Sequence, residues 1–413
     1  MLPAARLQAA IEILQSLENT AKPADLLLRE AFRARRYAGA KDRAAIAERV
    51  FAVLRRRALC AWRMGGEDAR LLVLGLLVTE GVTGETIAAL FSGNAYGPAP
   101  LSEAEKHVLA TPPKGAPPAW VTGEYPKFLE AELEAAFGPA LPQAMAAMAG
   151  RAPIDLRVNT LKMPRERVAA ALTAEGFPVF SAPHSPWGLR LPPGEGSARL
   201  GATALFRGGA FEFQDEAAQI AVRLCDAKPG MRVLDLAAGT GGKTLALAAA
   251  MENKGELCAA DIAPARLEQL KARAERAGAA VRICKKPPEG PFDLVLVDAP
   301  CSGTGTWRRQ PELRWRITPE RLKELTGLQD ELLDRAAGLV GPKGRLVYAT
   351  CSVLPCENGE RVEGFLKRHE DFAVVTAASL WPGEPPPGMT RFFKGAPHTA
   401  GTDGFFAAVL GKA

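Results

Sequence analysis

The segment Val233-Leu234-Asp235-Leu236-Ala237-Ala238-Gly239-Thr240-Gly241-Gly242-Lys243-Thr244 decides the fold. Its apolar start reads as a buried strand, its glycines as a turn, and residues 243–251 as a helix. Glycines there let the backbone approach a ligand, with the helix N-terminus behind it. Spacing excludes two familiar readings. A phosphate-binding loop needs glycine where Ala237 stands, and the dinucleotide fingerprint needs a third glycine where Thr244 stands. The next strand, 256–261, ends in Asp261, twenty residues after Gly241, where a carboxylate accepts both hydroxyls of a ribose. A glycine loop and an acid-ended second strand without a phosphate signature fit S-adenosylmethionine. A tight structural turn is the alternative.

Working outward, strand and helix alternate from Gln214 onward, the mark of an α/β fold with a parallel, helix-covered, Rossmann-like sheet. Helix 264–277, strand 292–298, helix 319–338 and strand 345–350 follow in order. The closing apolar run Gly404–Leu410 reads as an antiparallel edge strand. Upstream, residues 151–210 mix strands at 156–159 and 188–191 with a helix at 164–175, a small α+β module. Two helices, 119–137 and 140–150, precede it. Thr111-Pro112-Pro113-Lys114-Gly115-Ala116-Pro117-Pro118 is a stiff linker. Residues 1 to about 110 carry helical spacing throughout (Ala9-Ile11-Leu14-Leu17, Ile46-Val50-Val53-Leu54), an all-α bundle. The expected division is 1–118, all-α; 119–210, linker helices and α+β module; and 211–413, the catalytic domain.

The 413 residues exceed what one core organises, which agrees with several domains. No apolar run is long enough to span a membrane and no signal-peptide pattern opens the chain, so a soluble cytoplasmic monomer is expected. The formal charge of +6 permits a nucleic-acid partner without demanding one. A basic strip, Arg29, Arg33, Arg35, Arg36, Lys41, Arg43 and Arg55–Arg57, reads equally as a solvated helical face or as an RNA phosphate contact.

The seven cysteines are odd in number and lack a CxxC pair, which excludes a disulfide framework and a zinc site. Cys60, Cys225, Cys258 and Cys284 lie in apolar patterns and read as small buried hydrophobes. Cys301 and Cys351 differ. Each follows a buried strand, in Asp298-Ala299-Pro300-Cys301-Ser302-Gly303-Thr304-Gly305 and Ala349-Thr350-Cys351-Ser352, where open α/β sheets bind ligands. Two thiols there suit methyl transfer to cytosine C5. That carbon is a poor nucleophile until a thiolate adds to C6, and a base must afterwards remove the C5 proton. An acid near N3 promotes the addition, and Asp298 is placed for it. Enzymes that methylate nitrogen tend instead to carry Asn/Asp-Pro-Pro-aromatic here.

With these segments, and with Arg157-Val158-Asn159-Thr160-Leu161-Lys162, Phe213-Gln214-Asp215-Glu216-Ala217 and Gly401-Thr402-Asp403-Gly404-Phe405-Phe406, the chain resembles the RsmB/Sun family of RNA 5-methylcytosine methyltransferases over essentially its whole length. The resemblance implies that Cys351 attacks and Cys301 assists release, two roles the residues alone leave open. It implies cofactor contacts from Ala237, Ala238, Gly239, Thr240, Gly241, Gly242, Lys243, Asp261 and Asp298. It further implies a NusB-type RNA-binding bundle at the N-terminus, an RNA-recognition-like module at 151–210, and RNA contacts from Arg157, Asn159 and Lys162. Three features depart from the family pattern. Ala237-Ala238-Gly239-Thr240 replaces the usual Cys-Ala-Ala-Pro, no acid stands near Cys284-Lys285-Lys286, and Cys356 is extra and read as incidental.

Arginines interleaved with tryptophans in Thr306–Arg316 suit an RNA strand, so Arg308, Arg309 and Arg314 are expected to touch RNA. A capping loop with surface arginines is the alternative. The target cytosine must leave its stack, so unpaired RNA is expected, ribosomal rather than transfer RNA. Two rival functions remain: an RNA-binding assembly factor without catalysis, and a methyltransferase acting on protein or a small molecule.

Overall fold

The computed structural model describes residues 1–94, 96–194, 196–286 and 288–413. The chain forms two compact units, Met1–Ala131 with Arg309–Arg316, and Glu132–Arg308 with Ile317–Ala413. Sequence order alone gave consecutive domains. Here residues 119–131 group with the bundle, and so does 309–316, which specific bonds hold there. Ala24 N–H donates to Glu312 Oε1 at 3.0 Å, Trp315 Nε1 donates to Leu54 O at 3.1 Å, and Arg316 donates to Lys22 O at 2.9 Å.

The first unit opens with seven α-helices, Pro3–Glu18, Ala24–Ala34, Ala40–Arg55, Arg57–Met64, Ala69–Thr79, Gly84–Leu90 and Glu103–Ala110. Their ends follow local chemistry. Asp68 accepts the Arg70 and Leu71 amides at the start of Ala69–Thr79, and Ser102 and Glu105 form a reciprocal capping box. Leu14, Ile46, Val50, Leu72 and Leu76 share one buried core. Gly75 is required there because a Cβ would come within 2.6 Å of Cys60 O where two helices cross.

The second unit holds two sheets. The smaller takes β1 (Ile154–Val158), β2 (Phe180–Ser181), β3 (Gly188–Leu191) and β4 (Phe211–Phe213) in the order β2-β3-β1-β4, all pairs antiparallel. The larger comprises β5 (Arg232–Asp235), β6 (Glu256–Ala260), β7 (Arg282–Cys284), β8 (Phe292–Asp298), β9 (Val340–Thr350), β10 (Phe372–Val375), β11 (Phe393–Gly395) and β12 (Phe405–Lys412). Its order is β10-β12-β9-β8-β5-β6-β7, with β11 also on β12. From β9 to β7 the pairing is parallel, the Rossmann-like sheet expected. Chain order reverses between β8 and β5, and the crevice at that switch point is where such sheets bind ligands.

One strand differs from its expected role. β12 is antiparallel to β9 but interior, with β10 and β11 pairing beside it. Phe405–Leu410 is buried at every position, and such a run needs cover on both faces, which an edge place does not give. Among the described residues no helix is long and apolar enough to cross a membrane.

Candidate active site

The glycine loop leaves β5 at Asp235, a fully buried acid whose Oδ2 accepts Thr244 Oγ1 at 2.6 Å. Burial, then the neighbouring Asp298, push the Asp235 carboxyl up to about 7. Its Oδ1 is buried with no hydrogen-bond partner among the described residues, an acceptor held ready for a donor. Gly239 has φ +55° with open space where a Cβ would stand; at Gly241, φ +87°, a Cβ would strike Leu270 at 2.7 Å. One glycine borders open space and the other packs the loop on its neighbour helix. Asp261, at the end of β6, accepts the Gly239 amide at 2.9 Å and the Ala263 amide at 2.8 Å. A carboxylate has about four acceptor positions, so two remain for a ribose.

Lys243, in the first turn after the loop, is half-buried, its side chain 11% exposed, and donates to Asp298 Oδ2 at 2.6 Å. Burial opposes its charge, but Asp298, then Cys351 and Asp235, raise its pKa above the ordinary lysine value, so it remains an ammonium. Asp298, expected from the sequence near N3 of the base, is the partner of Lys243 in an ion pair.

Cys301 and Cys351, from the loops after β8 and β9, have their sulfurs 3.4 Å apart. Gly305 N–H donates to Cys351 O, and Gly404 N–H to Gly305 O, both at 2.9 Å. Beneath the thiols lies the fully buried Glu357. Its carboxylate accepts Ser302 N–H at 2.8 Å, Ser302 Oγ at 2.5 Å and Gln329 Nε2 at 3.1 Å, and Tyr348 OH donates to its carbonyl at 2.7 Å. The bond to Cys351, burial and the Glu357 charge together hold the Cys301 thiol well above its ordinary pKa. The acidic Glu357 thus lies on the Cys301 side of the pair. Lys243 is the cation that a thiolate at Cys351 would face.

A family description, 16S rRNA methyltransferase RsmB/F, matches residues 222–411, and an RsmF/B-like ferredoxin-like domain matches 125–194. The probable ribosomal RNA small subunit methyltransferase B of Synechocystis sp. (strain ATCC 27184 / PCC 6803 / Kazusa) is 34% identical over 309 residues, 70% of this chain and 67% of that protein. The chain belongs to the RsmB/F family of 16S rRNA methyltransferases. The crystal structure of PH0851 superposes with a TM-score of 0.80 at 28% identity, covering 100% of this chain and 99% of that one. A methyltransferase homolog protein from Pyrococcus horikoshii covers 71% of this chain and 97% of its own, with a TM-score of 0.61 at 28% identity. S-adenosylmethionine is the RsmB/F methyl donor, and the open face at Gly239, the unpaired Asp235 oxygen and Asp261 fit it.

For the RNA contacts the structure corrects the expectation at four residues. Arg157, Asn159, Arg308 and Arg314 are buried, where phosphates cannot reach them. Arg157 donates to Gln214 at 2.7 Å and to Gly242 O at 3.3 Å, and burial lowers its pKa to about 10. Asn159 donates to Gly209 O and Ala277 O at 2.9 and 2.8 Å. Arg308 bonds Asp403 at 2.5 Å and Asp215 at 3.3 Å. Lys162 is exposed and Arg309 half-buried. Cys60, Cys225 and Cys258 are buried, whereas Cys284 is only half-buried.

Sequence reasoning missed Glu357, Gln329 and Ile262. Ile262 follows Asp261 and is 87% exposed; an apolar side chain just past an acid-ended strand was the available signal. Glu357 and Gln329 carried none, because a buried carboxylate and amide look like surface residues in a linear pattern. No acid ends β7, where the exposed Lys285 and Lys286 follow Cys284.

Proposed function

We propose that this RsmB/F protein methylates C5 of a cytosine in unpaired small-subunit ribosomal RNA, with Cys351 as nucleophile and Cys301 as the group that completes release. The observation carrying this reading is the pair of sulfurs 3.4 Å apart at two parallel strand ends, with a lysine facing one and a buried glutamate beside the other. S-adenosylmethionine supplies an electrophilic methyl group on a sulfonium. Asp261 would hold its ribose hydroxyls, Asp235 Oδ1 would accept a hydrogen bond, and Ile262 would offer an apolar surface to its adenine.

The Cys351 thiolate attacks within electrostatic reach of the Lys243 ammonium, whose charge offsets that of the sulfur. That thiolate bonds to C6, and the electron pair of the C5–C6 double bond moves toward C5 as N3 takes up a proton from the Lys243–Asp298 pair. After methylation, C5 carries both a methyl group and a proton. Elimination breaks the C6–sulfur bond, and it needs the C5 proton to leave and a proton to reach the departing sulfur. Cys301, adjacent to that sulfur and protonated, passes its own proton to Cys351 and takes the C5 proton in exchange. As the C6–sulfur bond breaks, N3 returns its proton to the Lys243–Asp298 pair, so that atoms and charges balance. Lys162, Arg309 and the basic strip remain as candidate RNA contacts.

Two variants test the mechanism. Cys351→Ala should abolish methylation of 16S RNA, and Cys301→Ala should accumulate a covalent protein–RNA adduct seen as a band shift under denaturing conditions. Full turnover by both variants would refute the thiol mechanism. Retained activity on RNase-treated extract with none on purified RNA would move the substrate to protein or a small molecule.

A further inference from the structure

Beside the thiol pair, at the same end of the large sheet, lies a separate cavity of about 260 Å³. Its inner wall is Ser352–Val353, the two residues directly after Cys351, together with Phe405. Phe405 also borders the reacting centre, since Lys243 Nζ lies 5.1 Å from its ring centroid. The outer wall is Phe137 and His398, packed edge to face with centroids 5.5 Å apart at 76°. Pro355 and Lys394 complete the rim.

Three properties define what fits. The half-buried Phe137 and His398 offer flat surfaces of the kind on which bases stack, with the buried Phe405 behind them. His398 Nδ1 is buried with no hydrogen-bond partner among the described residues, a polar atom left unsatisfied in the cavity wall. Burial lowers the His398 pKa below its ordinary value, which leaves a neutral imidazole with one donor and one acceptor. Among the described residues lining the cavity there is no carboxylate, and Lys394, exposed at the rim, is the one full charge. Flat walls, an unsatisfied ring nitrogen and a cation at the mouth suit a nucleobase followed by its phosphate.

We infer that this cavity receives the base of a nucleotide flanking the target cytosine, and that His398 and Phe137 set which base is accepted. The inference rests on the RNA methylation proposed above and adds a source of sequence preference to it. A strand whose target base lies at Cys351 runs past Phe405, and a neighbouring base turned out of the stack enters next to it.

The test uses the full chain in a Cys301→Ala background, with S-adenosylmethionine and an unstructured RNA pool holding one cytosine between randomised nucleotides. Trapped adducts are isolated under denaturing conditions and sequenced. The parent should enrich one base at one flanking position by about tenfold, the scale of a stacking and hydrogen-bonding contact. His398→Ala should erase that enrichment while leaving affinity for S-adenosylmethionine unchanged by calorimetry. Thr399→Trp, which fills the cavity from its exposed rim, should do the same and serves where His398→Ala melts early. Trapped RNA without flanking preference, or with preference unchanged in both variants, overturns the pocket alone. No trapped RNA from the parent overturns the methylation reading, and the pocket with it.

Discussion

Arg308 separates two physical accounts of the segment after Cys301. Its guanidinium joins Asp403 and Asp215, and the three side chains are only 6%, 5% and 10% exposed. Asp215 also accepts the Ala217 amide at the start of Glu216–Leu224 and the Asp403 amide at 3.0 Å. Asp403 precedes Gly404, whose carbonyl oxygen lies 1.9 Å from where a Gly305 Cβ would stand. Arg308→Met keeps the apolar stem but takes away the cation that both carboxylates share. Removing one partner of a buried ion pair costs about 3–5 kcal/mol. At somewhat under about 2 °C per kcal/mol for a unit of this size, the melting midpoint should fall by roughly 5–10 °C. Methylation should fall with it, because the Cys301 loop loses its tie to the start of β12. A phosphate contact predicts the opposite pattern: unchanged stability, weaker RNA binding, and a log K against log salt slope reduced by about one. Thermal melts beside filter binding at several salt concentrations decide between them. Parental melting with a reduced salt slope would refute the structural role.

Two further predictions follow from buried charges. Burial raises the Glu124 carboxyl to about 7 from 4.5, although its oxygens accept the Ala58 and Leu59 amides. A raised carboxyl pKa stabilises the fold fully below about pH 4.5, and the contribution falls as pH rises toward 7, by about 3 kcal/mol in all. Urea melts between pH 5 and 8 should show that decline, and Glu124→Gln should flatten it. Lys243→Met should cut single-turnover methylation about 10²–10³-fold by removing the charge that faces the nucleophile. Because Asp298 is a third exposed, it should cost only about 1 kcal/mol of stability after solvent screening; a melt far below the parent's would show that the pair is chiefly structural.

The sheet was legible because its strands are continuous apolar runs and its helices carry a clean period, so β5, β8 and β9 emerge within a few residues of their ends. The thiols were legible because each breaks such a run with polar, turn-forming residues. What stayed hidden is non-local. Arg157, Arg308 and Arg314 look like RNA ligands in one dimension, since a guanidinium buried against a carboxylate or carbonyl has no sequence mark of its own. β12 read as an edge because ladder partners such as Phe372–Val375 are short and unremarkable in pattern.

The division of labour between the two thiols shows the same limit most sharply. Each is a cysteine followed by serine at a strand end, and nothing adjacent to either ranks them. The ranking comes from side chains distant in sequence. Lys243 arrives from the glycine loop's helix and feels Cys351, while Glu357 enters beneath Cys301 through Ser302. A cation near one sulfur and an anion near the other give the two thiols different electrostatic surroundings. That asymmetry is what the proposed assignment of Cys351 as nucleophile rests on. Exchanging the charges, with a neutral residue at 243 and Gln at 357, should erase the difference in thiol reactivity. A rate of alkylation by iodoacetamide at Cys351 that still exceeds the rate at Cys301 would show that exposure, and not charge, orders them.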